Sequence, residues 1–186
     1  KYMRSFWGAH LAMMQAHIPM GVIVDETVTL PRLREFPVVF LPGVTILSDS
    51  EIGLLTEYVE GGGKLLVTGL SGVCDRFGKP RDRSAIERLV GARLVRCELQ
   101  YNDNYLRLVS GGSGSPAPGS ALTPDGLRAA LRKDVPDGMP LLVYGPLATY
   151  EPTTASALGE LRLAYRSKNN LWVGHMSPGE PAGPAV

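Results

Sequence analysis

Gly69-Leu70-Ser71-Gly72 ends an apolar run, and Ser71 is the residue there with nucleophile chemistry. A serine on a sharp turn after a buried strand is presented beside helix-terminal amides, the arrangement of a nucleophile elbow. His175 and Glu180, late in the chain, are the residues available as base and orienter, and Cys74 is a second candidate nucleophile. The G-x-S-x-G form needs Gly where Val73 stands, so an ordinary strand end rich in Gly and Ser is the stronger reading. A second set follows in Asp75, Arg76, Lys79, Arg81, Asp82 and Arg83. An arginine–carboxylate set of this kind anchors a sugar or a partner domain, and the plainer reading is a locally neutralised surface. Asp25 and Glu26 are a third candidate, two acids expected at the carboxyl end of a strand, where α/β folds place their ligands. Adjacent strand residues point opposite ways, so turn formation suits this pair better than acid/base work. Together Asp25, Gly43, Ser71 and Asp75 would line a small-ligand pocket at the carboxyl edge of a sheet.

Two other signals fail on chemistry. Gly61-Gly62-Gly63-Lys64 has the look of a phosphate loop. Leu65 stands where Ser or Thr is required, and the glycines precede a strand instead of a helix. His10 has no second ligand at a suitable spacing, and Cys74 and Cys97 are not spaced as a metal motif. No cofactor and no metal are expected.

These residues depend on one organising stretch, 36–72. Val38, Val39, Phe40 and Leu41 form a continuous apolar run, which predicts a strand covered on both faces. Pro42-Gly43 stops it. Ser48 with Glu51 three residues on has the form of a capping box, and Ile52, Leu55 and Val59 then recur at helical spacing. Gly61, Gly62 and Gly63 end that helix, and Leu65, Leu66 and Val67 make the next strand. The unit is βαβ, which calls for parallel strands.

Around it, residues 1 to about 17 read as a helix and Met20–Val24 as a short buried strand. Residues 30–35 are a brief connector, and Ser84–Val90 is a short helix. Val95, Cys97 and Leu99 alternate with Arg96, Glu98 and Gln100 as a half-exposed strand, and 105–109 is another. Ser110–Ser120 is a Gly/Ser/Pro loop, and 122–133 has helical turns. Strands are expected at 141–144, 147–150, 161–165 and 171–176. The fold class is α/β, a flavodoxin-like parallel sheet flanked by helices with extra β structure in the second half. The domain division is 1–109 as α/β core, 110–120 as flexible loop and 121–186 as β-rich remainder of the same domain.

The 186 residues carry a formal net charge of +1, with cations and anions interspersed. That balance gives no electrostatic footprint for nucleic acid or a membrane surface. No run approaches the roughly 18 apolar residues of a membrane span. Two cysteines exclude a disulfide-built scaffold, and a cytoplasmic location is the expectation. The chain opens without Met and stops in SPGEPAGPAV, so a piece of a longer protein is expected.

The run LPGVTILSDSEIGLLTEYVEGGGKLLVTGLSGVCDRFGKPR resembles the class I glutamine-amidotransferase-like domain of multidomain glycoside hydrolases. It is similar to the trimerisation domain of family 42 β-galactosidases and to the related domain of fucosidase-like enzymes. The resemblance rests on the Leu-Pro after a buried strand, the Leu-Ser-Asp-Ser-Glu helix start, the Tyr-Val-Glu-Gly-Gly-Gly-Lys helix end and the D-x-x-G-x-P-R loop. It implies an amidotransferase-like sheet and a non-catalytic accessory role: oligomerisation, as trimer or dimer, or packing against other domains of a parent glycoside hydrolase. True amidotransferases carry Cys where Ser71 stands and a His-x-Glu pair, whereas Ser177 follows His175 by two. The alternatives are a hydrolase using Ser71 or Cys74 with His175, and a sugar-binding domain.

Overall fold

A computed structural model describes residues 2–81, 84–108, 126, 127, 130, 131, 133, 135, 136, 139–164 and 178–185. The chain forms two compact units, Lys1–Leu89 and Val90–Val186. Residues 90–109 therefore group with the later strands.

The first unit opens with helix α1 (Tyr2–Gln15). The helix stops two residues before the expected end because His17 adopts φ 53. Its amide bonds the Met14 carbonyl at 3.1 Å and the Ile18 amide bonds Met13 at 2.9 Å, the paired bonds of a Schellman cap. Met20–Val24, expected as a strand, is not one: the backbone is irregular and leads into a single 3-10 turn, Asp25–Thr27. Pro19 and Gly21 interrupt the apolar run, and Met20, Val22 and Val24 are exposed. The expected connector is a short helix, α2 (Leu30–Arg34), because Thr29 caps it by accepting from the Arg32 amide and Pro31 sits in its first turn.

The organising unit forms as its local signals require. Strand β1 (Val38–Pro42) is followed by helix α3 (Asp49–Glu60) and strand β2 (Lys64–Thr68), which pairs parallel to β1 with Val39 opposite Leu65 and Leu41 opposite Val67. The capping box at Ser48 is complete: the Glu51 carboxylate accepts from the Ser48 amide at 2.6 Å, and the Ser48 hydroxyl accepts from the Glu51 amide at 3.2 Å. Ile52, Leu55 and Tyr58 bury one face of α3 against Leu33, Leu41, Leu47 and Ile86, with Val39, Leu65 and Val67 packed around them. Tyr58 also donates to the Phe36 carbonyl at 2.9 Å, pinning the helix end to the strand entry. Ile86 comes from helix α4 (Ser84–Val90).

The expectation of two covered faces is corrected here. Val38 and Leu66, on the face away from α3, are 49% and 46% exposed. Among the described residues the parallel sheet has two strands, and a larger flavodoxin-like sheet is not seen. The run at 20–24 adds no strand to it, and the later strands pair antiparallel instead.

The second unit is an antiparallel sheet in the order β4-β3-β5-β6. Its strands are β3 (Ala92–Leu108), β4 (Leu141–Pro152), β5 (Gly159–Ala164) and β6 (Pro178–Ala185). The two strands expected in 95–109 are one long strand, as are the two expected in 141–150. Val95 and Cys97 do not face inward; Ala92 and Leu94 do, and the register shifts between Leu94 and Arg96. That irregularity resets the side-chain alternation, which a strict period of two in the sequence cannot anticipate. Strand β6 carries Pro178, Pro181 and Pro184, which is tolerable because it lies at the sheet edge, where a missing amide breaks few ladder bonds. Ser110–Ser120 and 171–176 lie outside the described residues, as does most of 122–133.

Candidate functional site

The carboxyl ends of β1 and β2 come together through two turns that need glycine. Gly43 (φ 71) and Gly69 (φ 62) occupy the left-handed region, and a Cβ at Gly69 would lie 3.6 Å from the Gly43 Cα. Ser71 sits directly behind them at 1% exposure. Its hydroxyl lies 2.9 Å from the Thr68 carbonyl and 3.2 Å from the Leu41 carbonyl. The single hydroxyl proton is thus shared between two backbone acceptors, one on each strand end. Thr68 reaches the same Leu41 oxygen at 3.5 Å. In this geometry Ser71 ties the parallel strands where their ladder stops, with its oxygen turned into the protein.

From there the chain runs beside 44–47 as an extra ladder. The Gly72 amide bonds Val44 at 2.8 Å, the Cys74 amide bonds Thr45 at 3.0 Å, and the Leu47 amide returns to Cys74 at 3.2 Å. Cys74 is half-buried and bridges Ile46 on one side and Pro80 on the other. Between Cys74 and Pro80 lies a tight hairpin closed by the Asp75 amide on Lys79 at 2.8 Å and the Gly78 amide on Asp75 at 2.9 Å. The Asp75 carboxylate accepts from the Phe77 and Lys79 amides, both at 2.9 Å. The Lys79 amide foremost, then the Phe77 amide and the Lys79 and Arg81 charges, hold this carboxyl below its ordinary 3.8 against an opposing desolvation.

Arg81 closes the hairpin from below. Its guanidinium reaches the Leu47 carbonyl and Asp49, the first residue of α3. The arginine side chain is 9% exposed and the aspartate 93%, so the carbonyl contact and burial of the stem matter more than the ion pair. Its Nε meets no acceptor among the described residues. Gly43, Ser71, Cys74, Asp75 and Arg81 therefore share one neighbourhood, joined mainly through backbone.

Asp25 and Glu26 do not stand at a strand end. They occupy the exposed 3-10 turn, where the Asp25 carboxylate accepts from the Glu26 amide at 3.2 Å. Asp82 and His175 lie outside the described residues, and Glu180 falls in β6. Among the described residues no cluster of three or more His, Cys, Asp or Glu side chains could hold a metal, and no helix is long and apolar enough to cross a membrane. Phe77, at the tip of the 74–80 hairpin, escaped sequence reasoning. Its one signal was an aromatic residue inside a polar turn.

Comparison with known proteins bears on this arrangement. The family model described as β-galactosidase trimerisation domain matches residues 5–115. No curated protein matches the chain. Among solved structures, Gan42B, a GH42 β-galactosidase from G. stearothermophilus, is similar at 15% identity and TM-score 0.58, over 94% of this chain and 20% of that one. The α-L-fucosidase isoenzyme 2 from Paenibacillus thiaminolyticus is similar at 19% identity and TM-score 0.51, over 87% of this chain and 21% of that one. The chain thus spans about a fifth of the length of each of these enzymes.

Proposed function

This chain belongs to the β-galactosidase trimerisation domain family, and on that premise we propose that it is a non-catalytic accessory domain holding a parent glycoside hydrolase in a homo-oligomer, trimer or dimer. The observation that carries the reading is the state of Ser71. A nucleophile needs an exposed oxygen beside a base, and this one is buried with its proton given to backbone carbonyls. The residues around it, Gly43, Asp75 and Arg81, are tied into the loops by hydrogen bonds, which suits an interface scaffold. With Asp25, Glu26 and Asp82 they are the proposed contact residues toward neighbouring subunits and domains.

The amidotransferase-like origin belongs to the same reading. It is supported by the β1-α3-β2 unit and by a glycine-bounded turn at the strand end that holds Ser in place of a reactive Cys. A parent in the cytoplasm completes the reading, supported by a half-buried Cys74 thiol outside any disulfide.

Sedimentation equilibrium of the protein, with ester, amide and glutamine hydrolysis assays alongside, tests it. Concentration-dependent association without turnover is expected. A monomer at every concentration, or turnover abolished by Ser71→Ala, would overturn it.

A further inference from the structure

Phe77 is 76% exposed, and exposed apolar residues are common on any surface. What sets this one apart is the rigidity of its support. Four hydrogen bonds inside residues 75–79 lock the hairpin, two of them to the Asp75 carboxylate. Cys74 joins its base to the 45–47 segment, and buried Arg81 clamps it to Leu47 and the start of α3. Gly78 (φ 76) makes the turn, and Ile46, itself 52% exposed, has its Cδ1 4.0 Å from where a Gly78 Cβ would sit. Two exposed apolar side chains thus stand on one hydrogen-bonded frame with little freedom left to lose.

The exposed charged side chains that flank Phe77 in the hairpin are cations. Arg76 lies over the Phe77 ring at 5.1 Å from its centroid, and Arg76 and Lys79 are exposed. Asp75, the one acid in the hairpin, is engaged with backbone amides. A sugar would need an open ring face and acceptors beside it. Here the Arg76 guanidinium lies over one ring face, and the exposed side chains flanking Phe77, Arg76 and Lys79, are donors.

We infer that the 74–80 hairpin is a docking plug, inserting Phe77 into an apolar pocket rimmed by carboxylates on a neighbouring subunit of the parent assembly. Aromatic and arginine side chains are enriched at interface centres, and a frame ordered in advance lowers the entropy lost on association. The inference rests on the assembly reading above and adds the element that makes the contact.

Sedimentation equilibrium of wild type, Phe77→Ala and the double variant Arg76→Glu/Lys79→Glu tests it, with thermal unfolding at low concentration as the folding control. Phe77→Ala is expected to raise the dissociation constant about thirty-fold, the scale of an interface hot spot, with unfolding unchanged. The charge reversal is expected to weaken association and invert its salt dependence. If the wild type does not associate, the assembly reading falls and the plug with it. If it associates and both variants associate equally, the plug alone is overturned. Loss of galactose binding in Phe77→Ala, with assembly intact, also overturns it in favour of a sugar site.

Discussion

Ser71 shows how one buried hydroxyl can tie two strand ends together. Its hydroxyl stands against Leu41 and Thr68 carbonyls that the parallel ladder leaves at its terminus. Ser71→Ala removes the hydroxyl from the Thr68 carbonyl in a buried place, while the Leu41 carbonyl keeps the Gly43 amide and the Thr68 hydroxyl, and a loss of about 1 kcal/mol is expected in urea unfolding. Asp75 works by charge in the same loop. Its carboxyl titrates lower in the folded chain than its ordinary 3.8, so the unfolded chain binds more protons in acid. Its contribution is present above that ordinary value and is lost as pH falls through the lower folded one. The carboxyl carbon shift of Asp75, followed by NMR through acid, should show a midpoint below 3.8, and Asp75→Asn should flatten the acid limb of the stability curve. A midpoint above 3.8 would mean that the amide bonds do not form in solution.

At the scale of elements, termini decide stability. The α3 capping box satisfies donors that the helix itself cannot, and Ser48→Ala removes the hydroxyl half of it. A cost of about 1 kcal/mol is expected in denaturant titration, with Ser48→Asp close to neutral. The α1 terminus offers the opposite experiment. His17 holds φ 53, a conformation that costs a side chain about 1 kcal/mol and glycine nothing. His17→Gly is therefore expected to stabilise the protein by about that amount, read as an upward shift in midpoint. An unchanged or lower midpoint would show that the imidazole contributes more than the strain it carries.

Across the whole molecule, apolar surface remains in water on several elements: Trp7, Leu11 and Met14 on α1, Val38 and Leu66 on the open sheet face, and Phe77 on its hairpin. Large exposed apolar patches mark association surfaces in soluble proteins, and these residues are candidates for one. Partner subunits that bind only the folded chain shift unfolding by mass action. The unfolding temperature is expected to rise with protein concentration over a hundredfold range, and a concentration-independent value would sink the assembly reading at this scale.

The sequence by itself determined what depends on near neighbours. Ser48 and Glu51 are three residues apart, so their mutual cap was legible, as were the apolar stripe of α3, its glycine terminator and the parallel pairing on either side. The Asp-Arg-Phe-Gly-Lys-Pro-Arg turn and the family likeness were legible for the same reason. Tertiary structure alone decided what needs a distant partner. Met20–Val24 has strand composition, yet a strand exists only where another chain segment supplies its hydrogen bonds, and 20–24 finds none among the described residues. The inward parity of β3 turned on a register shift against β4, invisible to local alternation. The Ser71 hydroxyl meets the Leu41 carbonyl thirty residues away as well as its near neighbour Thr68. The prominence of Phe77 likewise came from distant bonds that fix the frame beneath it, because residue types show what a group can do, while the fold decides which way it points.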